Sequence, residues 1–258
     1  MQTQSPKQYL PFRGKPLALY SFETFVHHPK ISEIIVVCEP EHRCLFGNHP
    51  RILFALPGER RQDSVFNGLN QISQETTLVC IHDSARPFLS LNDLNAVLLA
   101  AEQYGAATLG LPVKNTIKES TEDGFIAKTL PREKLWEMYT PQVATPSLLK
   151  LGFSIANAQH LTVTDDNSLI ELTGHPIKLV TGDPSNIKIT TPEDLLVAEA
   201  LYPRNLKNWE FNKEAPQNFC LERVTIAKGQ GTSEDKNSEV KPTRSKTNFS
   251  GFLGIYHV

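Results

Sequence analysis

One run constrains the fold more than any other: Thr77-Leu78-Val79-Cys80-Ile81-His82-Asp83-Ser84-Ala85-Arg86-Pro87-Phe88. Its mostly apolar first five residues show no polar alternation. That predicts a strand covered on both faces, as in a parallel sheet flanked by helices. The run ends abruptly in His82, Asp83 and Arg86, and Pro87 stops further pairing. In open parallel sheets, ligands bind beyond the carboxyl ends of the strands. A carboxylate there can hold Mg²⁺, a hard cation that takes one or two carboxylates, several waters and substrate phosphates. An Asp–Arg ion pair tying down the turn reads equally well from the same residues.

The flanking sequence repeats the pattern. Ser5–Leu17 is punctuated by prolines and a glycine and reads as loop. A helix is expected over Leu17–His27, strands at Ile34–Cys38 and Ile52–Leu56, and a charged strand–helix junction at Gly58–Leu69. The Asp83 strand, a helix at Leu91–Tyr104 and a strand at Ala106–Val113 follow. Strands alternating with helices mean βαβ units, hence an α/β, doubly wound, mainly parallel sheet. The rhythm breaks at Lys114–Thr145. Short polar strands at Lys114–Lys118 and Ala127–Leu130 flank Asp123-Gly124, a hairpin signal. The expectation is a protruding β-arm over about 114–145. A two-stranded arm is marginal alone, so it should pack on a second copy and make a homodimer. A helix near Ser147–Ala158 comes next, then Thr164 as a helix cap. Strands are expected at Lys178–Val180 and Asn186–Ile189, and Thr191-Pro192-Glu193-Asp194 opens the last helix.

Composition excludes several classes. With net charge −2 and 40% hydrophobic residues in 258, bulk charge points to neither nucleic acid nor an anionic membrane. No apolar run approaches a spanning helix, and the polar start is no signal peptide. Cys38, Cys44, Cys80 and Cys220 lack paired spacing and the histidines are scattered, so reduced thiols, no zinc site and a cytoplasmic location are expected. Residues 203–258 read as a polar, disordered tail, with Lys228–Lys246 almost devoid of apolar residues. Gly229-Gln230-Gly231 reads as linker, since no strand precedes it.

Six segments in order resemble the 2-C-methyl-D-erythritol 4-phosphate cytidylyltransferase family. They are Pro6–Leu10, Gly58–Val65, His82–Pro87, Thr140-Pro141-Gln142, Thr164-Asp165-Asp166 and Asn186–Leu195, within Met1–Tyr202. The resemblance implies a Rossmann-like nucleotidyltransferase domain over 1–202 that joins CTP to methylerythritol phosphate and releases pyrophosphate. It makes Asp83 the Mg²⁺ ligand and Lys7 a cation at the transition state. Gly58, Glu59, Asp63 and Ser64 would lie along the cytidine, with Ser84 and Arg86 serving the same nucleotide. Lys188 would position the attacking phosphate, with Thr164 and Asp165 beside it. Thr116 and Arg132 on the arm would complete the partner's site.

The sequence also departs from that family, whose chains begin with a hydrophobic strand, a glycine-rich loop and a catalytic arginine before the Pro-Lys-Gln segment. Here Lys7 lies close to Met1. The expectation is an apolar gap beside Ile34–Cys38 and Thr77–Ile81, poor stability and at best weak turnover. Two further readings stay open: a pentitol-phosphate cytidylyltransferase, and a non-catalytic nucleotide-binding dimer.

Overall fold

In a computed structural model the described residues are 6–205 and 251–257. They fall within one compact unit of the chain. The expectations for Lys228–Lys246 and its glycines lie outside the described residues.

The elements in order are β1 (Pro11–Phe12), β2 (Lys15–Pro16), α1 (Ala18–His27), β3 (Ile31–Val37), β4 (Ile52–Ala55), α2 (Arg61–Leu69) and β5 (Thr76–Asp83). Then come α3 (Leu91–Tyr104), β6 (Ala106–Pro112), β7 (Ile117–Ser120), β8 (Ile126–Leu130) and β9 (Trp136–Ala144). The last are α4 (Pro146–Ala158), α5 (Asp166–Glu171), β10 (Lys178–Thr181), α6 (Pro192–Asn205) and β11 (Gly251–His257). Local chemistry sets many of these boundaries. Ser90 accepts the Asp93 N–H at 3.0 Å at the start of α3, and Gly105 ends that helix at φ 81°. Thr145 caps α4, with Pro146 in its first turn.

Seven strands form the central sheet in the order β10-β6-β9-β5-β11-β3-β4. β9 runs antiparallel to β5 and β6, while the other neighbours are parallel. Ala18, Phe22 and Phe25 of α1 and Leu94, Val97 and Leu98 of α3 cover one face. Val65 and Leu69 of α2, Leu149 and Phe153 of α4 and Leu169 of α5 cover the other. The doubly wound, mainly parallel α/β expectation therefore holds.

Four local expectations are corrected. Trp136–Ala144 belongs to the central sheet, so the arm proper is the β7–β8 hairpin and does not reach Thr145. Asn186–Ile189 is no strand but an irregular strap. Thr164 does not cap α5; the Asp165 carboxylate accepts the Ser168 N–H at 3.0 Å instead. The last correction concerns the sheet centre, where no gap exists. β11 lies between β3 and β5, parallel to both, pairing Ile255 with Ile35 and Ile81. The stretch expected as the end of a disordered tail thus supplies an inner strand of the central sheet, between β3 and β5.

The physical reason is the period of two along Phe252–Tyr256. Phe252 and Tyr256 join one core cluster, and Leu253 and Ile255 the opposite one. Gly254 faces Phe25, and a Cβ there would stand 2.9 Å from the ring's Cδ1. The buried Tyr256 hydroxyl donates to the Ala18 carbonyl and lies 2.8 Å from Ser21 Oγ. This satisfies a polar group that would otherwise be costly inside. A third cluster, with Phe12, Leu17, Tyr20, Phe88, Ile189 and Ala198, packs the β1–β2 hairpin and the strap against α6.

Candidate active site

The site builds outward from the carboxyl end of β5. Asp83 is the last residue of that strand, and its side chain is 11% exposed. One oxygen, Oδ1, accepts from Arg61 Nη2 at 3.2 Å; the other, Oδ2, accepts from Lys188 Nζ at 2.9 Å. Arg61 opens α2 and is anchored elsewhere. Its two Nη groups donate to both oxygens of Asp166, at 3.0 and 2.7 Å. Burial opposes ionisation of Asp83, but Arg61 and Lys188 outweigh it and hold the carboxyl well below the usual carboxylate range. Burial pushes the Asp166 carboxyl up, against the pull of Arg61.

Lys188 reaches this point because the strap lies across the end of β5. Arg86 Nη1 donates to the Asn186 carbonyl at 2.8 Å, the Asn186 side chain to Thr140 O at 2.9 Å, and Ile189 N–H to Ala85 O at 2.8 Å. Lys7 donates to the Thr190 carbonyl on the same strap. Arg86 is buried, stacked over Tyr139 and bonded to carbonyls. The ion pair that ties down this turn is therefore not Asp83–Arg86; the partners of Asp83 are Arg61 and Lys188. Ser84 is buried, and its hydroxyl has no protein partner among the described residues.

His82 is fixed in a neutral role. Its Nε2 lies 3.0 Å from Arg86 O and its Nδ1 3.0 Å from Thr140 Oγ1, which itself accepts the Asp83 N–H at 3.1 Å. Nε2–H donating and Nδ1 accepting satisfies all three groups. Burial lowers its pKa to about 4, so the ring orders the turn rather than carrying charge.

The loop leading into α2 is self-supporting. Ser64 Oγ accepts the Gly58 N–H at 2.9 Å, and a Cβ on Gly58 would stand 2.4 Å from Asp63 Cβ, so only glycine fits. Asp63 and Arg60 form a capping pair, with Nη2 to Oδ1 at 2.8 Å. Glu59 is exposed beside them. Across the site, Asp165 is held by Ser168, Gln142 and Asn167, while Thr164 is exposed. Thr116 and Arg132 lie outside this network. Both are exposed at the arm, where Arg132 donates to Lys114 O at 2.9 Å.

The resemblance groups Asp83, Lys188 and Lys7 in one site; the fold pairs Lys188 with Asp83 and bonds Lys7 to the Thr190 carbonyl on the strap that carries Lys188. Sequence reasoning missed Arg61, Asp166 and Gln142. All three stand within the quoted motifs, but only the fold shows that they touch. The donor set suits one hard cation shared with a ligand. Asp83 offers one carboxylate, its Oδ2 partner Lys188 is 44% exposed, and Mg²⁺ typically keeps one or two carboxylates with phosphate oxygens. Among the described residues, no group of three His, Cys, Asp or Glu forms an all-protein cage. No helix among them is long and apolar enough to cross a membrane.

Comparison with known proteins points the same way. Residues 1–204 match the family described as 2-C-methyl-D-erythritol 4-phosphate cytidylyltransferase. The chloroplastic protein of that name from Oryza sativa subsp. japonica is 49% identical over 206 residues, covering 78% of this chain and 69% of the relative. One from Pelotomaculum thermopropionicum is 41% identical over 209 residues, covering 78% and 88%. Among solved structures, the cytidylyltransferase of Thermus thermophilus superposes with TM-score 0.65 at 33% identity, covering 77% and 94%. The 4-diphosphocytidyl-2C-methyl-D-erythritol synthase of Anaerococcus prevotii gives 0.71 at 27%, covering 76% and 93%.

Proposed function

From the premise that the chain belongs to the 2-C-methyl-D-erythritol 4-phosphate cytidylyltransferase family, we propose that it transfers the cytidylyl group of CTP to 2-C-methyl-D-erythritol 4-phosphate. An acceptor phosphate oxygen attacks the α-phosphorus of CTP. The new P–O bond gives 4-diphosphocytidyl-2-C-methyl-D-erythritol, and the bond to the bridging oxygen breaks to release pyrophosphate. The product belongs to non-mevalonate isoprenoid synthesis. The observation that carries this reading is Asp83 held between Arg61 and Lys188 at the end of β5.

Such a displacement concentrates negative charge, so positioned cations lower its barrier. Lys188 presents its ammonium to the attacking phosphate, and Lys7 faces the triphosphate from the other end of the strap. Gly58, Glu59, Asp63 and Ser64 line the cytidine, with the backbone of a rigid loop offered to the base. Arg86 holds the turn beneath the nucleotide, Ser84 offers it a hydroxyl unpartnered among the described residues, and Thr164 and Asp165 flank the acceptor. Asp83 would hold Mg²⁺, which supplies neutralisation of the phosphate oxygens when bound. Thr116 and Arg132 reach the acceptor of a second copy across an arm-mediated homodimer. The cytoplasmic location expected from the sequence belongs to the proposal as well.

The test measures pyrophosphate release from CTP with methylerythritol phosphate and with ribitol phosphate. Methylerythritol phosphate should be preferred, and Asp83→Asn or Lys7→Ala should lower kcat by about 10²–10³. Preference for ribitol phosphate would overturn the substrate, and full turnover in a variant would remove that residue from the chemistry.

A further inference from the structure

Arg61 is the residue on which the two halves of the site meet, and no reading above gives it a role in the reaction. Its guanidinium makes a fork-to-fork pair with Asp166, whose side chain is 2% exposed, and a third bond to Asp83 Oδ1. A planar guanidinium can satisfy both carboxylates at once, and a point-charge ammonium cannot. Its neighbour Gln62 works on the same target. Gln62 Oε1 accepts the Val163 N–H at 2.9 Å, and its amide donates to Leu161 O at 3.2 Å. From the sheet side, Gln142 Oε1 accepts the N–H groups of Asp166 and Asn167 at 2.8 and 3.0 Å. The start of α5 is thus clamped between α2 and β9, and Arg61 extends that clamp to Asp83.

The two cations on Asp83 differ. Lys188 makes one bond and is 44% exposed, while Arg61 makes three and is 28% exposed. We propose that Arg61 is a positioning residue for the transfer reaction. It fixes Oδ1 of Asp83, leaves Oδ2 as the exchangeable oxygen for the cation, and ties both to the loop that carries Thr164. This rests on the cytidylyl-transfer reading and adds to it how the metal-side carboxylate and the acceptor-side loop keep one spacing. The bland alternative is that Arg61 merely neutralises the buried Asp166.

A double variant separates the two. Arg61→Met with Asp166→Leu removes the pair and keeps apolar bulk, an exchange that buried ion pairs often tolerate. Mn²⁺ binding is followed by electron paramagnetic resonance with CTP present and the acceptor omitted, so that no turnover contributes, and thermal melting is read beside it. The expected result is near-normal melting with Mn²⁺ bound about 10–100-fold more weakly, the usual scale for losing a residue that orients a metal ligand. The single variant Arg61→Lys keeps the charge but cannot span both carboxylates, and should bind Mn²⁺ measurably more weakly while remaining folded. Unchanged Mn²⁺ affinity in the folded double variant would overturn the proposal. If the double variant does not fold, unchanged affinity in Arg61→Lys overturns it equally. Failure of the unaltered chain to bind Mn²⁺ with CTP would overturn the transfer reading itself, before any variant is compared, and this proposal with it.

Discussion

Replacing Ile255 by alanine tests the least expected feature of the fold, the inner strand between β3 and β5. Ile255 is fully buried, pairs with Ile35 and Ile81 on its two sides, and presses against Gly68 of α2. A Cβ added at Gly68 would stand 3.0 Å from Ile255 Cγ2, so α2 and β11 pack closely here and truncation opens a void between them. Truncating such a residue costs the transfer free energy of the lost methyl groups plus a cavity, about 2–5 kcal/mol together. Against a total stability of about 5–15 kcal/mol this is a large fraction. At about 2–4 °C per kcal/mol for a domain of this size, melting should fall by roughly 6–12 °C for a mid-range loss of about 3 kcal/mol. The assay is thermal and urea unfolding followed by circular dichroism, with two companions. Ile35→Ala, equally buried in β3, should lose a similar amount. Leu196→Ala, 73% exposed on α6, should stay within about 0.5 kcal/mol of the parent. If Ile255→Ala behaves like Leu196→Ala while Ile35→Ala is destabilised, the sheet stands but β11 does not lie between β3 and β5.

Mixing Arg132→Ala with Lys188→Ala subunits tests the shared site. Random exchange makes half the dimers mixed, each with one intact site, so about a quarter of the parental activity should return; no return despite demonstrated exchange would place Arg132 outside the partner's site. A second test uses His28, fully buried at the end of α1, with Nε2 3.1 Å from Asn95 Oδ1. Burial lowers its pKa below the ordinary 6.5, helped by Lys30 and opposed by Asn95. Its contribution is full above that value and is lost as pH falls through it, because the unfolded chain then binds the proton first. Stability measured from about pH 7.5 to about pH 5 should therefore decline less in His28→Gln than in the parent, and equal slopes would show that His28 is not the group responsible.

Where local chemistry decides structure, the residues could be read directly. The helix at Leu91–Tyr104 was legible to the residue because Ser90 caps one end and Gly105 turns the other. Asp83 was legible as a charged residue at the end of a buried strand, though an ion pair read equally well there, and Lys188 was legible only through the family resemblance. β9 was hidden by Thr140, Pro141 and Gln142, polar or ring-locked residues that look unlike a central strand and yet form the floor of the site. β11 was hidden for the opposite reason. Phe252–Tyr256 alternates as a strand should, but its partners lie far back in the chain and a long polar stretch precedes it. In the sequence Arg61 is one of several charges at a strand–helix junction, and only tertiary contact with two distant carboxylates distinguishes it from Arg60, whose bonds go mainly to Asp63.

The position of β11 also orders events in time. β3 and β5 both precede β11 in the chain, so the strand that joins them is made long after either of them. During synthesis, which runs at about 5–20 residues per second, their facing edges have no neighbour to bond. An unpaired edge is a template for another chain, and a contact between residues so distant in sequence forms slowly because the intervening loop must first be closed. Nascent chains of this protein therefore pass through an interval in which two half-sheets exist and the whole does not, and it is in that interval that chaperones and aggregation compete for them.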